Sequence, residues 1–162
     1  DLHSFPTRRS SDLVGAQVLE RDTERTMQEA FDRLPFLEPV VKDTLREFVR
    51  RVKGAEGDNL LRVVLFGSMV RGDFDEESDT DVFVLLRDGE LFEKQREIVN
   101  LAYDASYGAE RYVLLSPFVE TEHDLKRLVK GFPRWNLEPV FEAIREEGMP
   151  LFEQGIFIRE RI

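Results

Sequence analysis

The chain has 162 residues, a formal net charge of -10, 41% hydrophobic and 35% charged residues, and no cysteine. That is enough for one domain of ordinary size, with a core supplied in part by 13 phenylalanines. The composition excludes disulfides, thiolate catalysis and cysteine zinc sites, and the acidic balance argues against broad binding to a phosphate backbone, so extended nucleic acid is not expected as a partner.

Residues 1–13 are polar, rich in serine and arginine, and without periodicity. The stretch from His3 to Leu13 resembles the translation of a sequencing adapter; the alternative is a disordered tail. It has no apolar run suited to a signal peptide. One domain is therefore expected over 14–162. No run of about 18 apolar residues suggests a membrane span, and a cytoplasmic location is expected.

Gln17 to Leu34 reads as a charged helix with a weak apolar stripe, interrupted by Pro35. Phe36, Leu37, Val40, Val41, Leu45, Phe48, Val49 and Val52 then recur at helical spacing, with Gly54 expected to close the helix. The Phe-rich face of this helix is expected to be core. Gly54 to Asn59 is turn-like. Leu60 to Phe66 is a short apolar run bounded by Gly67, as in a buried strand. Gly72 to Ser78 reads as a solvated acidic loop, and Asp81 to Leu86 as a second strand. Leu91 to Ser106 carries the spacing of an amphipathic helix. Arg111 to Val119 reads as a third strand, near an edge or a bulge because Pro117 cannot donate to a ladder. Thr121 can cap a short helix through Val129, with His123 a surface or capping residue. Leu137 to Ile144 predicts a last helix ending at Gly148, and Met149 to Ile158 a terminal strand or hairpin. Trp135, with Phe132 and Pro133, reads as a loop anchor or as a wall of a nucleotide pocket. The order predicts an α/β (α+β) fold around a small mixed sheet.

The chemistry is concentrated between Leu65 and Leu86. Gly67 permits a tight turn and close approach to the backbone. Ser68 contributes a hydroxyl and an amide, and a helix starting there would point free N–H groups at a phosphate. Arg71 could reach an anionic oxygen, or pair with Asp73 or Asp75 on the surface. Gly72 lets the chain turn away. Asp79 and Asp81, two residues apart at the start of a strand, would stand on one side of it, with Thr80 and Val82 facing the helices. Two carboxylates so placed are unfavourable unless a cation offsets them, and Mg²⁺ shared with substrate phosphates suits such oxygen ligands. Alternatively both acids are solvated and the strand begins at Val82.

Gly67-Ser68, ten intervening residues and Asp79-x-Asp81 on an apolar strand resemble the nucleotidyltransferase superfamily that includes DNA polymerase beta. The fuller string Gly-Ser-x-x-Arg-Gly with Ser-Asp-x-Asp resembles the minimal nucleotidyltransferases of prokaryotes. The Ser116-Pro117 strand and the closing Arg145-Glu-Glu-Gly148 are similar to that group as well. The resemblance implies transfer of a nucleoside monophosphate, AMP in the first instance, from an NTP such as ATP to a protein or small-molecule hydroxyl. It implies Mg²⁺ or Mn²⁺ on Asp79 and Asp81, and phosphate contacts from Gly67, Ser68, Arg71, Gly72 and Ser78. It also implies a role as the antitoxin of a HEPN-domain toxin. A third carboxylate expected on the strand Tyr112 to Val119 is missing; Ser116 is its mid-strand oxygen, a neutral and weaker ligand. Glu110 and Glu120 are expected to flank that strand and to lie outside the site. A catalytically weak nucleotide-binding or protein-binding module of the same fold is the alternative.

Overall fold

The computed structural model describes residues 10–128 and 137–154. Helix α1 (Ser10–Asp32) and helix α2 (Pro39–Glu56) precede strand β1 (Leu60–Phe66), the one-turn helix α3 (Ser68–Arg71) and strand β2 (Thr80–Leu86). Helix α4 (Leu91–Tyr107), strand β3 (Leu115–Thr121), helix α5 (Glu122–Leu128), helix α6 (Glu138–Glu147) and strand β4 (Met149–Glu153) complete the order. The sheet runs β3-β2-β1-β4. β1 is antiparallel to both β2 and β4, while β2 and β3 are parallel and joined through α4, as a parallel pair requires. The expected mixed sheet with flanking helices is what forms.

Alternation along the strands divides the core in two. On one face Val63, Leu65, Val82, Val84 and Leu86 pack with Phe31 of α1, Leu45, Phe48 and Val52 of α2, and Ile98 and Ala102 of α4. On the other, Leu61, Phe66, Phe83 and Leu85 meet Phe141 and Ile144 of α6. Phe83 is fully buried, with the rings of Phe118 and Phe141 centred 5.9 and 6.5 Å from its own. No helix is long and apolar enough to cross a membrane among the described residues.

Several boundaries differ from those read in the sequence. α2 begins at Pro39, which presets the first helical turn, and continues through Gly54 to Glu56. Gly54 sits in open space, so its lack of a side chain costs the helix little packing, and the stop falls at Gly57 with φ +54. β3 starts at Leu115, four residues later than expected, and runs on to Thr121. It is an edge strand, which accommodates Pro117. There Gln95 of α4 replaces a missing neighbour: its Nε2 donates to the Pro117 carbonyl at 2.9 Å, and its Oε1 accepts from the Val119 N–H at 3.0 Å. Thr121 does cap α5, its Oγ1 accepting from the Asp124 N–H. The readings of Phe132, Pro133 and Trp135, and of the first nine residues, lie outside the described residues.

Candidate active site

Register brings the site together. Phe66, the last residue of β1, lies opposite Asp81, and Asp81 lies beside Ser116 of β3. β4 enters the sheet with Met149 opposite Leu65. One edge of the sheet thus gathers the end of β1 and the beginnings of the other three strands.

Gly67 turns there with φ +81, a conformation that L side chains rarely adopt. A Cβ on Gly67 would collide with Asp81 Oδ2, so the carboxylate stands directly against the bare α-carbon. Both properties of glycine are used at this position: its backbone freedom and its lack of bulk. The N–H groups of Ser68 and Met69 open α3 and have no helical carbonyl to bond, so they remain donors for another group. Gly72, with φ +78, stops α3 after one turn.

Asp81 is half-buried on the face shared with Phe83 and Leu85, away from α1, α2 and α4; Thr80 and Val82 point toward those helices. Asp79 is exposed and precedes the strand, which starts at Thr80. The carboxyl pKa of Asp81 is raised, first by burial, then by the charge of Asp79 and also of Glu147, with Arg71 acting in the opposite direction. The ionised pair is therefore under electrostatic load of the kind a cation relieves. Among the described residues no three His, Asp or Glu side chains form a closed metal group. A donor set of two carboxylates matches an ion that completes its shell with substrate phosphates and water, as Mg²⁺ does.

The other residues singled out in the sequence fall into different roles. Arg71 is held by acids: its Nε is 3.2 Å from Asp73 Oδ2 and its Nη1 is 2.8 Å from Glu147 Oε1. Asp73 foremost, with Glu147, raises the guanidinium pKa. Ser78 closes the acidic loop, its hydroxyl donating to Asp75 Oδ1 at 3.0 Å and accepting from the Asp75 N–H at 2.9 Å. Ser116 is half-buried in register with Asp81, so a hydroxyl stands beside the carboxylate at that level of the sheet.

Glu120 is a correction. It lies within β3, fully buried, not beyond the strand. It shares the alternation of Ser116 but pairs in register with Leu85, four residues along, or about 13 Å at strand rise. It is remote from Asp81. The acid that does reach the site is Glu147, at the end of α6. Its Oε1 also accepts from the Gly67 N–H at 3.2 Å. Sequence reading noted the Arg145–Gly148 string without assigning Glu147 a contact. The available signal was its place just before Gly148 and the last strand.

The family model for the nucleotidyltransferase domain matches residues 42–134. A Methanocaldococcus jannaschii protein provisionally named a protein adenylyltransferase is 35% identical over 77 residues, 48% of this chain and 76% of that protein. A second protein of the same organism with the same provisional name is 39% identical over 41 residues, 25% of this chain and 41% of that protein. Among solved structures, a toxin–antitoxin crystal structure with AMP-PNP aligns with TM-score 0.43 and 15% identity, over 66% of this chain and 72% of that one. With the family match spanning more than half its residues, and with its glycine turn set against Asp81, the chain belongs to the nucleotidyltransferase family.

Proposed function

We propose that this nucleotidyltransferase moves AMP from ATP to a hydroxyl of a protein, using the sheet edge around Gly67 and Asp81. The observation that carries the reading is the direct apposition of the Asp81 carboxylate and the Gly67 backbone, with the N–H groups of Ser68 and Met69, which open α3 without a preceding helical carbonyl, next in the chain. A polyphosphate seated on those donors would lie beside the two acids. In the transfer the acceptor hydroxyl releases its proton to solvent, its oxygen bonds to the α-phosphorus, and the bond from that phosphorus to the α–β bridging oxygen breaks as pyrophosphate departs. Asp79 and Asp81 would hold Mg²⁺ or Mn²⁺, which when bound offsets charge on the triphosphate. Ser68 would bind phosphate through its amide and hydroxyl. Arg71, tied to Asp73 and Glu147, would set the shape of the turn, and Gly72 and Ser78 would fix the flanking backbone.

The choice of AMP and of a protein acceptor rests on the provisional names of the two archaeal relatives. The resemblance to minimal nucleotidyltransferases adds a HEPN-domain protein as the first acceptor to test, and the absence of cysteine fits a cytoplasmic setting. The experiment is incubation with α-labelled ATP, CTP, GTP or UTP and Mg²⁺, with and without such a protein. Label on the protein, lost in Asp79→Ala/Asp81→Ala, is expected. Mg²⁺-dependent ATP binding without transfer to any acceptor would overturn the enzymatic part.

One observation favours a second reading, a binding module with weak turnover: β3 presents Ser116, not an acid, beside Asp81. A hydroxyl is a poor base at neutral pH. If the missing carboxylate limits the rate, Ser116→Asp raises the label-transfer rate at least about 10-fold. An unchanged rate would remove this reading.

A further inference from the structure

Glu147 is separated from Gly67 by 80 positions, yet the two are joined by a hydrogen bond. The chain geometry at the end of α6 explains how. Gly148 has no room for a side chain: a Cβ there would collide with the Ile144 carbonyl oxygen and lie 2.7 Å from Val64 Cγ1. The helix therefore passes into β4 pressed against β1, and Glu147 is delivered beside the turn that ends β1. A single oxygen, Oε1, accepts from the Gly67 N–H at 3.2 Å and from Arg71 Nη1 at 2.8 Å, and the side chain is only 20% exposed.

The ion pair with Arg71 favours a carboxylate there, and the neighbouring acids oppose it. The site already holds Asp79 and Asp81, and Glu147 adds to the load on Asp81. What the carboxylate supplies is acceptance: it ties the N–H of a residue in a left-handed conformation and the guanidinium at the far end of α3. Those are the two ends of the one-turn helix α3. We infer that Glu147 is a positioning residue, which locks the Gly67 turn and Arg71 so that the cradle keeps its shape before nucleotide arrives. The inference rests on the proposed function of the same edge.

The test compares Glu147→Ala and Glu147→Gln with wild type in the full-length chain. Three quantities are measured: Mg²⁺·ATP affinity by calorimetry, KM and kcat for label transfer, and hydrogen exchange of the Gly67 amide by NMR without nucleotide. Glu147→Ala is expected to weaken affinity and raise KM about 10- to 100-fold, with a smaller change in kcat. Its Gly67 amide should exchange at least about 10-fold faster, while the Val63 and Val84 amides of the central strands keep their protection. Glu147→Gln retains an oxygen acceptor and should rescue affinity to within about 3-fold of wild type. Unchanged affinity and unchanged Gly67 exchange in Glu147→Ala would overturn the inference. So would tighter ATP binding in that variant, which would make Glu147 a competitor for the phosphate donors. Should wild type neither bind nor transfer nucleotide, the functional reading fails by itself, and Gly67 exchange still decides whether Glu147 braces the turn.

Discussion

At Asp81 two demands conflict. The carboxylate is half-buried and pressed by Asp79 and Glu147, so folding disfavours its ionised form. A carboxyl whose folded pKa is raised contributes its full share of stability below the unfolded value, and that share is lost as pH rises through the folded one. Asp81→Asn should therefore match wild type in stability in acid. It should become the more stable of the two above the carboxylate range, a gap that denaturant titration across pH would show. On the proposed function the same substitution should lower transfer at least about 100-fold, since it would take away one of the two carboxylates assigned to the metal. A stability gap that closes with rising pH would contradict the assignment. Gly67→Ala attacks the other half of the pair. It introduces a Cβ where Asp81 Oδ2 stands and a side chain at positive φ, and should cost about 1–3 kcal/mol in unfolding free energy along with the activity. Gly67 and Asp81 were legible in the sequence because turn chemistry and strand alternation are local. Glu147 was not: its approach depends on the register of β4 against β1, which no short-range pattern encodes.

At the scale of elements, the strands with continuous apolar runs were read almost to the residue, since a strand buried on both faces has a compositional signature. The helix-to-strand passage before β3 was not. Arg111 to Leu114 look strand-like, but β2 begins at Thr80, whose N–H donates to the Leu114 carbonyl, and the ladder does not extend back to Arg111, Tyr112 and Val113. Gly54 misled for the converse reason: glycine ends a helix only when the chain needs to turn, and here that need arises three residues later. The edge strand also depends on a side chain that sequence periodicity counts only as part of a helix face. Gln95→Ala would remove both polar contacts from α4 to β3. It should cost about 1–3 kcal/mol, with faster exchange of the Val119 amide as its local sign. Wild-type protection at Val119 would show that the edge is held by other means.

At the scale of the molecule, the net charge of -10 accords with the proposed small anionic substrate carried with a divalent ion, in preference to a polyanion. Nucleotide bound to the folded state alone stabilises it by mass action. At 100 times the dissociation constant the gain is about 2.7 kcal/mol, or about 5–10 °C in Tm for a chain of this size. ATP with Mg²⁺ should give that shift, ATP with EDTA much less, and Asp79→Ala/Asp81→Ala none. The mixed sheet was legible from the alternation of strand and helix patterns. That three strands begin where one ends is a property of pairing order, and only the assembled sheet reveals it.

The late arrival of β4 has a bearing on biosynthesis. The turn at Gly67 and the acid at Asp81 leave the ribosome well before residue 147, and for that interval the loop lacks its distal clasp. Competence is thus deferred until β4, which follows the turn by about 80 residues, docks along the sheet and the brace snaps into place.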